Sequence, residues 1–231
     1  VVRIADKFLS VFYFLKSFFS VSFSKKLFGI QNDYYQNEIK SNSEKSIIDS
    51  VIDVADYELT SKKVSHVSDL YNKRPKKLED IKIAVIFDEF SYKSFKYEFN
   101  AIPIEPSNWF EIFEKEKPDL FLCESAWQGI DSEKMPWKRK IYLDVYSKSE
   151  NRTVLWDILN YCNKHYIPTI FWNKEDPTDF HIFHDTALKF DHIFTTTEEC
   201  IQRYKKFGHK SVHCLMFAAQ PKLFNPIEKQ E

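Results

Sequence analysis

Residues 81–89 read Ile81-Lys82-Ile83-Ala84-Val85-Ile86-Phe87-Asp88-Glu89, and this stretch decides the fold. It is apolar except at Lys82, rich in β-branched side chains, and shows no helical spacing. That is how a parallel strand covered on both faces reads, here running straight into two acids. Downstream, residues 101–104, 119–123, 168–172, 192–195 and 212–216 repeat the strand signal. Helical stretches with recognisable ends lie between them. Asn108 with Glu111 has the form of a capping box ahead of Trp109, Phe110 and Phe113. Asn151 can cap a helix that carries Val154, Leu155, Ile158, Leu159 and Cys162 on one side. Thr196 with Glu199 opens a third helix, carrying Cys200, Ile201 and Tyr204 and stopping at Gly208. Strands alternating with helices predict an α/β, Rossmann-like open parallel sheet flanked by helices over residues 81–231.

Upstream the character changes. Residues 31–80 are rich in Ser, Asn, Asp, Glu and Lys, with a sparse helical pattern (Ile47, Ile48, Val51, Ile52, Val54) and a basic loop at 72–77. Residues 1–30 place Phe8, Val11, Phe12, Leu15, Phe18 and Phe19 at helical spacing. Residues 1–80 are therefore expected to be a helical N-terminal extension and linker. Asp6 and Lys16 interrupt the apolar stretch, so no run reaches the roughly 18 residues of a membrane span. Arg3, Lys7, Lys16, Lys25 and Lys26 against Asp6 alone suit peripheral contact with an anionic membrane surface. Packing on the rest of the protein is the other destination for that apolar side.

Composition removes several function classes. With 33 basic and 34 acidic residues among 231, there is no electrostatic case for a nucleic-acid-coating protein. Only three glycines occur, Gly29, Gly129 and Gly208, where average usage of about 7% would give about sixteen. Neither a dinucleotide-binding turn nor a P-loop can be built from isolated glycines, because both need clustered ones to bring backbone N–H groups against phosphate. The four cysteines, Cys123, Cys162, Cys200 and Cys214, lack metal-ligand spacing and read as buried thiols of a reducing, cytoplasmic compartment. The residues call for neither a metal nor a cofactor.

Ligands of open α/β sheets bind beyond the carboxyl ends of the strands. The first strand runs into Asp88-Glu89, the third into Glu124-Ser125-Ala126-Trp127, and the fourth into Asn173-Lys174-Glu175-Asp176-Pro177. Carboxylates beside aromatic rings suit a sugar, the acids accepting hydroxyl protons and Trp127 and Trp172 offering apolar faces. The candidate substrate-binding residues are Asp88, Glu89, Glu124, Trp127, Trp172 and Lys174; the candidate catalytic base is Glu175 or Asp176. His181 and His184 lie three residues apart outside any metal motif and read as hydrogen-bonded loop histidines. Ser125 is not in a nucleophile elbow.

Residues 167–177, Ile167-Pro168-Thr169-Ile170-Phe171-Trp172-Asn173-Lys174-Glu175-Asp176-Pro177, resemble the (I/V)PTxFWxxEDP segment of bacterial glycosyltransferases related to the spore maturation protein CgeB. Residues 119–129, residues 190–196 and the segment Phe217-Ala218-Ala219-Gln220-Pro221 extend the likeness, which spans about 81–227. The resemblance implies a GT-B architecture of two Rossmann-like domains, in which this chain is the N-terminal, acceptor-side half. The nucleotide-sugar donor would be held mainly by a C-terminal donor domain, and the acceptor would be a cell-envelope or spore glycan. A chain that starts at Val1 and ends where such a domain would begin is expected to be a fragment, inactive alone. Two readings compete with this one. A receiver-like signalling module would use Asp88, Glu89 and Glu124 as an Mg²⁺ and phosphoryl pocket, although Glu124 stands where an aspartate is needed. A half-domain could also bind a glycan without turnover.

Overall fold

The computed structural model describes residues 80–144 and 151–224. Its elements are β1 (Lys82–Ile86), α1 (Glu89–Phe95), β2 (Asn100–Pro103), α2 (Trp109–Glu116), β3 (Leu120–Glu124), α3 (Thr153–Lys164), β4 (Thr169–Asn173), α4 (Phe180–Ala187), β5 (His192–Thr195), α5 (Glu198–Lys206) and β6 (Val212–Cys214). The strands form one all-parallel sheet in the order β2-β1-β3-β4-β5-β6, the expected Rossmann-like α/β arrangement. Each strand falls on a stretch read from the sequence, with ends moved by a residue or two; β6 stops at Cys214, short of 216. The expected helical extension over 1–80 lies outside the described residues except for Asp80.

Burial explains why these runs are strands. Every residue of β3, β4 and β5 is buried, so both faces of the central sheet are covered. Right-handed crossovers with this strand order set α1 on one face and α2–α5 on the other. The larger core lies on the four-helix face. There Ala84, Ile86, Phe121, Cys123, Phe171 and Ile193 meet Phe113 of α2, Leu155 and Ile158 of α3, Phe183 of α4 and Tyr204 of α5. A fully buried phenylalanine such as Phe113 stabilises the fold by about 3–5 kcal/mol relative to alanine. On the opposite face, Phe95 of α1 packs against Phe87, Phe99 and Trp172.

Three sequence expectations about helix ends need correction: Asn108 and Thr196 bond elsewhere, and Asn151, its side chain buried without a hydrogen-bond partner, does not cap α3. Asn108 precedes α2 but accepts the N–H of Glu105 at 2.8 Å, closing the turn before the helix. The residue preceding α3 is Arg152, not Asn151. It is drawn inward by Asp185 at 2.7 Å and Thr186 at 2.9 Å. Thr196 donates its hydroxyl to the Asp176 carbonyl, and Thr197 stands at the start of α5. The expected stop at Gly208 is observed, with φ +90° just beyond α5. His181 and His184 are helical, on α4, rather than in a loop, and His184 stacks on Phe180. Among the described residues no helix is long and apolar enough to cross a membrane.

Candidate functional site

The strand order reverses between β1 and β3, which are hydrogen-bonded neighbours, with β4 next to β3. The register pairs Ile86 with Cys123 and Glu124 with Trp172, so the three strands end level and deliver Asp88, Glu124 and Lys174 to one edge. This is the switch-point crevice of an open α/β sheet.

Asp88 occupies the centre. Its Oδ1 accepts the N–H groups of Gln128 (3.1 Å) and Gly129 (2.8 Å), while its Oδ2 accepts that of Trp127 (3.0 Å) and the Lys174 ammonium (3.0 Å). Three successive backbone N–H groups around one anion form the concavity that elsewhere receives phosphate; here the protein's own carboxylate fills it. Burial works against the Asp88 charge, but Lys174 and the three N–H groups prevail and hold its pKa below the ordinary aspartate value.

Glu124 is fully buried at the end of β3. Its Oε1 accepts the Asp88 N–H and the Lys174 ammonium, the latter at 3.0 Å. Burial pushes its pKa up to about 7 in spite of the opposing pull of Lys174, Ser91 and the Asp88 N–H; the Asp88 charge adds to the rise. The Ser91 hydroxyl favours the carboxylate electrostatically, yet Ser91 Oγ and Glu124 Oε2 stand outside hydrogen-bond geometry and neither has another partner. Lys174 is only 10% exposed. Burial disfavours its charge, but Glu124 and Asp88 outweigh this and raise its pKa.

The surrounding chain locks the three in place. Ser125 accepts the Lys174 N–H on its hydroxyl at 2.9 Å, and its own N–H donates to Trp172. Gly129 has φ +96°, and a Cβ there would stand 3.0 Å from Trp137 Cδ1, so this turn needs glycine. Trp137 is buried and donates its Nε1–H to the Ile104 carbonyl at 2.7 Å, anchoring the loop that follows β3. Gln220 crosses back to α1 and donates to Ser94 O and Glu98 Oε1, each at 2.8 Å.

The other candidates separate cleanly. Asp176 faces inward, its Oδ1 accepting from Asn173 at 2.8 Å. Burial raises its pKa to about 6 against the pull of the Thr195 and Tyr204 hydroxyls and of Arg203 and His184. Trp172 is 4% exposed, wedged between Phe95 and Phe217 with its Nε1–H on the Leu215 carbonyl, and so is part of the core. Trp127 is half-buried against Tyr142 and Phe183. Glu89 is exposed and pairs with Lys93 one helical turn on. Glu175 is half-buried at the edge; its carboxylate has no hydrogen-bond or ion-pair partner among the described residues. Beside Trp172, a groove is lined by the exposed rings of Phe90 and Phe217 together with Met216, an apolar surface that sequence reading did not single out. The described residues contain no group of three or more His, Cys, Asp or Glu side chains able to hold a metal ion.

No family model, no curated protein and no solved structure matches the chain. The edge itself sets an unpartnered carboxylate, Glu175, next to a sealed ionic cluster of Asp88, Glu124 and Lys174.

Proposed function

We propose that the chain is the acceptor-side half of a glycosyltransferase, moving a sugar from a nucleotide-sugar donor to a cell-envelope or spore glycan. The observation that carries this reading is the convergence of the stretches that resemble CgeB-related enzymes. Glu124-Ser125-Ala126-Trp127 and Asn173-Lys174-Glu175-Asp176 meet at one sheet edge through the Lys174–Glu124 and Lys174–Ser125 bonds, and Glu175 is left without a partner. In this reading Glu175 takes the proton of an acceptor hydroxyl while that oxygen attacks the anomeric carbon. The bond from that carbon to the nucleoside diphosphate breaks, and the leaving oxygen keeps the electron pair. Asp88 and Glu124 act through Lys174 rather than on the sugar. The donor domain implied by the resemblance supplies the groups that stabilise the diphosphate.

The test is sugar transfer by the full-length protein from a panel of nucleotide sugars onto envelope glycan fractions. A positioned general base contributes typically about 10²–10⁴-fold. Glu175→Gln is expected to lower kcat within that range with the fold intact; transfer at the wild-type rate removes Glu175 from the mechanism. The absence of nucleotide-sugar turnover in the wild-type protein leaves the reading of a glycan-binding half-domain. Four free cysteines, three of them buried, favour a cytoplasmic site of action, with residues 1–30 as the stretch suited to peripheral membrane contact. The receiver-like alternative is disfavoured, because a phosphodonor would have to reach a fully buried Glu124 already bound to Lys174.

A further inference from the structure

Lys174 is the one described side chain that bonds to both Asp88 and Glu124, and it joins three separate parts of the chain. Its ammonium meets the β1–α1 turn at Asp88 and the end of β3 at Glu124, while its own N–H is held by Ser125. The next residue is Glu175. Asp88, the other end of the bridge, grips the N–H groups of Trp127, Gln128 and Gly129. The turn bearing the proposed base and the loop after β3 are thus tied through one buried cation.

We propose that Lys174 is a positioning residue that, by bridging Asp88 and Glu124, fixes the Glu175 turn against the Trp127–Gly129 loop, and that protonation of Glu124 loosens this tie. The inference rests on the reading of Glu175 as the base for its catalytic meaning, but not for its geometry. Four groups face Glu124: Asp88 from the β1–α1 turn, Ser91 from α1, Cys123 from its own strand, and Lys174 from the β4–α4 turn. Burial, with the Glu124 and Asp88 charges, raises the Cys123 thiol well above its ordinary value, so it stays protonated. Lys174 stays charged and Asp88 stays ionised, each shifted away from neutral pH, which leaves Glu124 as the titrating member near pH 7. Protonation takes one of the ammonium's two counter-charges away. The cluster therefore has two self-consistent states, one holding Lys174 between two acids and one leaving it to Asp88.

The test is residue-resolved amide hydrogen exchange of the chain from pH 5.5 to 8.5, corrected for intrinsic rates, in wild type, Lys174→Met, Lys174→Arg and Glu124→Gln. In the wild type, protection of Gln128, Gly129 and Glu175 should fall by about tenfold or more as pH drops through about 7, the scale of one charge-assisted hydrogen bond. Lys174→Met should lack that protection throughout, Lys174→Arg should restore it, and Glu124→Gln should show no step. Wild-type protection in Lys174→Met, or a persistent step in Glu124→Gln, overturns the proposal. If Lys174→Met loses protection over the whole sheet and so has not folded, Glu124→Gln decides alone. Nucleotide-sugar turnover by the full-length protein separates the two claims: wild type without turnover but with the expected exchange pattern defeats the enzyme reading only, and normal turnover without that pattern defeats the positioning.

Discussion

Replacing Glu124 by glutamine should flatten the dependence of stability on pH, and the size of the effect follows from the site. Glu124 is fully buried, and its pKa rises from an ordinary 4.5 to about 7. The folded state therefore keeps a proton that the unfolded state has released over that interval. The native state binds more protons than the unfolded one, so stability falls as pH rises through the window. At about 1.4 kcal/mol per pH unit, the fall from this residue amounts to about 3 kcal/mol by pH 7.5. Glutamine has nearly the same shape and mimics the protonated form. Its amide oxygen can still accept the Asp88 N–H, with a weaker bond to Lys174; that loss offsets the absolute gain by about 1–2 kcal/mol but leaves the slope unchanged. Asp176 and His192 also titrate in this range, in both proteins, and drop out of the difference. Urea unfolding of the two chains at matched pH values from 5 to 8, followed by tryptophan fluorescence, measures it. The variant's midpoint should gain about 1–2 M on the wild type across that interval. Parallel curves would refute the reasoning, because a buried carboxylate that is already ionised at pH 5 carries no such linkage.

Other substitutions probe different parts of the fold. Gly129→Ala should cost about 1–3 kcal/mol, since φ +96° and a 3.0 Å approach to Trp137 both resist a Cβ; Gly208→Ala, at φ +90° but in open space, should cost less, and thermal melts compare them. His192 carries the opposite linkage to Glu124. Burial, helped by His213 and His209 and opposed by Asp191, lowers its pKa from 6.5 to about 4, so the unfolded state binds more protons and stability is lost as pH falls through that window. His192→Gln should remove about 3 kcal/mol of acid sensitivity between pH 6.5 and 4, seen as a shallower fall in urea midpoint than in the wild type.

Strands were legible because burial on both faces demands uninterrupted apolar runs, and 81–87 states that demand in the clearest form. The edge acids were legible by position, since a parallel sheet sends every strand's carboxyl end the same way. What those acids do there was not. Asp88 bonds to the N–H groups of residues 127–129, and backbone donors leave no trace in residue type. Gly129 was a partial signal: an isolated glycine after a strand marks a turn, though not the carboxylate it surrounds. Trp172 alternates with Phe171 along β4, and only the arrival of Phe95 and Phe217 from distant segments covers its ring. Capping went astray because Asn108 closes a local turn on the Glu105 N–H instead, while Thr196 donates to the distant Asp176 carbonyl and Thr197 takes the position before α5.

The filled concavity also bears on the kind of ligand this edge can take. A phosphate entering between β1 and β3 would have to displace the Asp88 carboxylate from three N–H donors and would still face Glu124. The cluster holds two acids against one ammonium, so above pH 7 its charge repels a second anion, and the low exposure of all three leaves little solvent to screen that repulsion. A neutral polyhydroxylated molecule meets no such barrier. Glu175 can accept its hydroxyl without disturbing Asp88, and the exposed rings of Phe90 and Phe217 offer an apolar surface in the groove beside Trp172. In the proposed division of labour this edge therefore takes the acceptor, and the diphosphate of the donor binds to groups outside it.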